Sequence, residues 1–153
     1  MMRVAPERDG TDDMGSRRAE PGTGYAPGLG RRILLVEDDP HVAETLAELL
    51  RLDGYRVSVA TDAATGLHQL GRNPADLVLC DLSLPGEMDG FGFASACRAD
   101  PKLRRLRLMA VSGYCRAEDR RRAVAAGFDG LIGKPIDLDR VHLAFGQAGT
   151  PAV

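Results

Sequence analysis

Short apolar runs alternate along this chain with stretches in which apolar side chains recur every three or four residues. Ile33-Leu34-Leu35-Val36 and Leu77-Val78-Leu79-Cys80 are unbroken apolar runs, the pattern of central strands covered on both faces. Residues 106–111 read as another strand, and Gly130–Gly133, with Leu131 and Ile132, as a last one. Tyr55-Arg56-Val57-Ser58-Val59 alternates instead, which predicts a strand nearer an edge. Val42, Leu46, Leu49 and Leu50 follow the stripe of a helix that stops at Asp53-Gly54. Ala63, Leu67 and Leu70 repeat the stripe before Gly71 and Pro74, and Leu138, Val141, His142 and Phe145 give it again near the end. Segments 90–99 and 117–126 contain no proline and complete the set. Five strands alternating with five helices require crossover connections, hence a parallel sheet with right-handed crossovers: a three-layer α/β fold.

Length and composition narrow the picture. The chain has 153 residues, the size of one ordinary domain. Residues 1–30 are rich in Gly, Pro, Asp and Arg and nearly devoid of large apolar side chains. Such a segment cannot offset its ordering entropy and is expected to be a disordered tail. Residues 148–153 are expected to form a second, short tail, leaving 31–147 as the domain. A net charge of −2 argues against a protein held to nucleic acid or membrane by bulk electrostatics. No apolar run is long enough to span a bilayer, and the N-terminus has no apolar core of a secretory signal. Cys80, Cys97 and Cys115 are odd in number with no C-x-x-C pair, which suits reduced thiols in a cytoplasmic protein. Lys102 and Lys134 are the only lysines in an arginine-rich chain.

In an open parallel sheet, ligands bind beyond the carboxyl ends of the strands. Glu37-Asp38-Asp39 follow the first predicted strand, Asp81 the third, Ser112 the fourth and Lys134-Pro135 the fifth. Each has a plain structural reading taken alone: Asp39-Pro40 is a good helix start, Asp81 could be a turn residue, Ser112-Gly113 a loop and Lys134 a surface charge. Their common position at one sheet edge, across almost a hundred residues, points to one site. Clustered carboxylates repel one another, so Glu37, Asp38 and Asp81 call for a cation, and an all-oxygen set suits Mg²⁺. Beside it, Asp81 can act as a carboxylate nucleophile toward phosphorus, with Lys134 facing the transferring oxygens and the Ser112 hydroxyl meeting a phosphoryl oxygen that arrives only afterwards.

The segments I-L-L-V-E-D-D-P, L-V-L-C-D-L-S-L-P-G, M-A-V-S-G-Y and L-I-G-K-P resemble, in order and spacing, the motifs of response-regulator receiver domains of two-component systems. The likeness covers about residues 31–147. It implies a flavodoxin-like (βα)5 fold with strand order 2-1-3-4-5. It makes Asp81 the phospho-acceptor, with Glu37, Asp38, Asp81 and the backbone carbonyl of Ser83 holding Mg²⁺. It makes Ser112 the hydroxyl switch and Lys134 the phosphate-pairing lysine, joined to Pro135 by a cis peptide. The implied phosphoryl donor is a sensor histidine kinase or a histidine phosphotransfer protein docking near the first helix and the site loops. The implied output is a single-domain regulator that contacts a target protein through helices 4 and 5 and strand 5. No nucleic-acid or membrane partner is implied, and no enzymatic activity beyond self-phosphorylation and self-dephosphorylation.

Two features depart from the family pattern. P-G-E-M-D-G carries one extra residue, around Glu87, and Leu131 stands where an aromatic residue or histidine is usual. Leu131 is therefore expected to stay packed, with the signal read through Ser112 and Tyr114. A haloacid-dehalogenase-like Mg²⁺-dependent phosphatase is the main alternative, but it needs an Asp at the position Ser83 occupies. An FMN carrier would need a phosphate loop where Glu37-Asp38-Asp39 stand. Arg116, Arg120, Arg121 and Arg122 read as a solvated helix face rather than a nucleic-acid surface.

Overall fold

Four of the helices begin where an aspartate can accept the free N–H groups of a first turn, the last of them at Asp137, whose Oδ1 accepts from Asp139 N. Asp39 Oδ1 accepts from His41 N and Val42 N ahead of Pro40, Asp62 from Thr65 N, and Asp89 from Gly92 N. A computed structural model describes residues 28–146. The elements run β1 (Arg32–Val36), α1 (Pro40–Leu52), β2 (Arg56–Ala60), α2 (Ala63–Arg72), β3 (Leu77–Asp81), α3 (Gly90–Ala99), β4 (Arg107–Ser112), α4 (Ala117–Ala126), β5 (Gly130–Gly133) and α5 (Leu138–Gly146). All strand pairs are parallel, in the order β2-β1-β3-β4-β5. This is the flavodoxin-like arrangement.

Alternate residues of each central strand enter opposite apolar layers. Leu34, Val36, Val78, Cys80, Leu108, Ala110 and Leu131 meet Leu70 of α2, Phe93 and Cys97 of α3 and Ala123 of α4. Ile33, Leu35, Leu77, Leu79, Val111 and Ile132 meet Ala47 and Leu50 of α1 and Val141 and Phe145 of α5. Two buried faces explain the unbroken apolar runs of β1 and β3. β2 has a single neighbour, β1, and its Arg56 and Ser58 are exposed, as its alternation predicted.

The ladder extends past the apolar runs. β3 takes in Asp81, paired with Val111, and β4 takes in Ser112, paired with Gly133. Backbone hydrogen bonds disregard side-chain polarity, so both residues end strands rather than follow them. Residues 28–30, assigned to the tail by composition, form a turn against the end of α1, with Gly30 N donating to Gly54 O at 2.9 Å. Gly28 lies so close that a Cβ there would stand 2.1 Å from the Gly54 carbonyl carbon. Residues 1–27 and 148–153, the remaining tail positions, lie outside the described residues.

Among the described residues no helix is long and apolar enough to cross a membrane. The three cysteines are free. Burial pushes the Cys80 thiol well above its ordinary pKa and that of Cys97 up to about 11, so both are protonated core side chains.

Candidate functional site

The strand order reverses between β1 and β3, so the loops leaving their carboxyl ends diverge and open a crevice. Glu37, the first residue after β1, and Asp81, the last of β3, are both buried there, while Asp38 is exposed. Glu37, Asp38 and Asp81 each offer a carboxylate oxygen, and these atoms lie within 4.8 Å of one another. Asp39 stays out of this group because its carboxylate caps α1.

Lys134, next after β5, bridges the two buried acids. Its Nζ donates to Asp81 Oδ2 at 2.9 Å and to Glu37 Oε1 at 3.3 Å. Burial disfavours the ammonium, but the bond to Asp81 and the charges of Asp81 and Glu37 outweigh that effect and leave the Lys134 pKa raised. Glu37 is also pushed above the usual carboxylate range. Burial is the main cause and the Asp81 charge adds to it, against the opposing pull of the Asp39 N–H and Lys134. One ammonium for three carboxylates leaves an excess of negative charge. The donors are all hard oxygens with one side open at Asp38, a set that fits a divalent hard cation such as Mg²⁺.

The loop after β3 fixes the orientation of the Asp81 carboxylate. Ser83 N donates to Asp81 Oδ1 at 2.9 Å. Gly90 N donates to Leu82 O, and a Cβ on Gly90 would stand 2.4 Å from the Asp81 carbonyl oxygen, so only glycine lets α3 start this close. Leu82 and Leu84 are buried, whereas Pro85, Gly86 and Glu87 are exposed and Gly86 has φ +94°. The extra residue is thus absorbed in an exposed turn, away from Asp81.

Ser112 is nearly buried. Its Oγ accepts from Tyr114 N at 3.0 Å and its carbonyl accepts from Lys134 N at 2.9 Å. Among the described residues the hydroxyl proton has no acceptor, so it is available to an incoming oxygen. Tyr114 lies outside the cluster, 71 % exposed, with the Arg116 guanidinium over its ring. Leu131 is buried beneath β4 and β5 among the side chains facing α3 and α4. The Lys134-Pro135 peptide is cis, as the resemblance implied.

Two participants were not singled out by the sequence. One is Gly90, for which the Asp89-Gly90 pair was the available signal. The other is a groove of about 400 Å³ beside the carboxylates, running between α1 and the segment after β5. Glu37, Asp81 and Lys134 line one end, and Val42, Leu46, Leu49 and Ile136 line the rest. Val42 and Leu49 are partly exposed because they face this opening and not the core.

Comparison with known proteins agrees with this geometry. The profile described as the response regulator receiver domain matches residues 33–145. The chain is 38 % identical over 112 residues to an uncharacterized 14.6 kDa protein in the sodA1 3′ region of Leptolyngbya boryana, covering 72 % of this chain and 85 % of that one. It is 36 % identical over 120 residues to the sensor histidine kinase AruS of Pseudomonas aeruginosa, covering 77 % of this chain but only 12 % of the kinase. A CheY-like response regulator receiver domain protein from Methanospirillum hungatei JF-1 superposes with a TM-score of 0.67 at 26 % identity, over 77 % of this chain and 92 % of that structure. The phosphatase alternative finds no support among these relatives, and Ser83 leaves its second acid unsupplied.

Proposed function

The chain belongs to the response regulator receiver domain family, and we propose that it works as a single-domain switch whose phospho-acceptor is Asp81. Receivers are signalling domains, not classical enzymes, and sensor histidine kinases phosphorylate them. The observation that carries the assignment is the convergence of Glu37, Asp38, Asp81 and Lys134 at the carboxyl ends of β1, β3 and β5.

In this reading Asp81 attacks the phosphorus of a phosphohistidine on a kinase or phosphotransfer protein, the P–N bond breaks and an acyl phosphate forms. Glu37, Asp38, Asp81 and the Ser83 carbonyl would hold Mg²⁺, which supplies positive charge for the phosphoryl oxygens when bound. Lys134 already sits 2.9 Å from Asp81 Oδ2 and needs little movement to follow the charge onto a phosphoryl oxygen. The Ser112 hydroxyl then donates to that group. This moves the loop that carries Tyr114, the start of α4 and, through the Ser112–Lys134 backbone bond, the end of β5. The donor docks over the groove beside α1, and the target meets α4, β5 and α5. Small phosphodonors such as acetyl phosphate would suffice for self-phosphorylation.

Incubation with acetyl phosphate and Mg²⁺ should add one phosphoryl group by intact mass, and none to Asp81→Asn. Full labelling of that variant sinks the assignment. Ser112→Ala should accept the group yet lose the amide shifts beyond the site that a beryllofluoride mimic induces in the wild type.

A further inference from the structure

The opposite end of the sheet carries a second concavity, between β2 and α2. We propose that it binds a small phosphorylated molecule. β1 and β2 both start with arginine, and Arg32 and Arg56 are direct partners in the parallel register. Like charges side by side on neighbouring strands destabilise a sheet, and among the described residues only Arg32 has an acidic partner, Asp76. Both line a concavity of about 320 Å³ whose walls include no acidic side chain. Asp76 reaches only Arg32 Nε, at 3.9 Å, through an oxygen that already accepts the Arg32 N–H at 2.8 Å. The Arg56 guanidinium has no ion pair or hydrogen bond among the described residues.

The remaining walls say what the anion would look like. Ser58 and Asn73 add a hydroxyl and an amide as further donors, while Leu70 and Pro74 are apolar. Two guanidinium forks with two neutral donors exceed what one carboxylate can accept, and they suit a doubly charged phosphoryl group on a compact body. The carboxyl end of α2 lies here at Asn73 and contributes roughly half a negative charge, which two full guanidinium charges outweigh. An extended peptide is a poor fit. The outward carbonyls of Val57 and Val59 already accept from Arg51 Nη2 and Gln69 Nε2, both at 3.0 Å, so a strand added to β2 would have to displace both side chains. The ligand is therefore small.

The test is an amide NMR titration of the full chain, without Mg²⁺ and with EDTA, using adenosine 5′-monophosphate and inorganic phosphate as probes. Saturable shifts of the Ser58, Gln69 and Asn73 amides by either probe are expected, with adenosine at least tenfold weaker than its monophosphate. Arg56→Gln and Arg32→Gln should each weaken binding at least tenfold. Arg56 is exposed and has no ion pair or hydrogen bond among the described residues, so its variant should melt no lower than the wild type does. Asp81→Asn should bind unchanged, which separates this site from the phosphorylation site. The proposal is overturned if neither phosphate probe shifts those amides. It is equally overturned if Arg56→Gln binds like the wild type, or if sodium chloride at matched ionic strength reproduces the shifts.

Discussion

Glu37 sits at the end of β1 at the expense of its own solvation. Its folded pKa is raised, so the folded state binds this proton more tightly than the unfolded chain does. The side chain therefore favours folding most below its ordinary pKa of 4.5, and that benefit is lost as pH rises through the folded value. At neutral pH the ionised group is a burden, one that the proposed metal site gives reason to retain. Glu37→Gln removes the buried charge and keeps one acceptor oxygen, for Asp39 N or for Lys134 but not for both, and should melt a few degrees above the wild type at pH 7 without metal. The advantage should shrink toward pH 4.5, and Mg²⁺-dependent phosphorylation should slow. A variant no more stable than the wild type at pH 7 would mean that the Lys134 pairing exceeds the cost of desolvation. Leu131 is the opposite case, an apolar side chain buried in the core. Its truncation to alanine leaves a cavity beneath β4 and β5 and should cost about 2–5 kcal/mol in denaturant unfolding. Because Leu131 lies in the core and outside the carboxylate cluster, the phosphorylation rate of Asp81 should stay nearly unchanged.

Among the elements, β2 has the hardest position, because one edge of it has no strand partner. Arg56 N donates to Arg31 O and Ala60 O accepts from Glu37 N, so residues 56, 58 and 60 turn their backbone to β1 and residues 57 and 59 turn theirs outward. Arg51 and Gln69 reach over from α1 and α2 to occupy the two outward carbonyls. Edges left open recruit other strands, and side chains that fill their acceptors prevent this. The double variant Arg51→Ala/Gln69→Ala should keep its fold. On mild heating its light scattering should grow several-fold faster than that of the wild type; equal rates would leave the two contacts as incidental.

At the scale of the molecule, the proposed phosphorylation site and the arginine pair occupy opposite ends of one sheet. Glu37, Asp81 and Lys134 lie at the carboxyl ends of the strands, and Arg32 and Arg56 at the amino ends. A ligand at either end can act on the other only through the sheet or the helices alongside it. The domain proper is proposed to be residues 31–147, preceded by the Gly28–Gly30 turn packed on Gly54. A chain beginning at Gly28 should melt within about 2 °C of the full one, a difference below 1 kcal/mol for a domain of this size. A larger loss would show that residues 1–27 contribute to folding.

The sequence by itself determined the order of elements, because strand and helix periods are local properties of side-chain spacing. It also brought out Glu37, Asp38, Asp81, Ser112 and Lys134, since a parallel sheet sends every strand end to one edge whatever the packing. It placed β2 near an edge, since a strand open on one side alternates where a covered one does not. Other features were decided only by the tertiary structure. The need for glycine at position 90 depends on how closely α3 approaches the Asp81 carbonyl, and Lys134 becomes a bridge only once β5 has joined the sheet. The groove beside α1 and the pairing of Arg32 with Arg56 arise between segments distant in the chain. Periodicity reports which face of an element is apolar, but the distance between two faces is set by what packs between them.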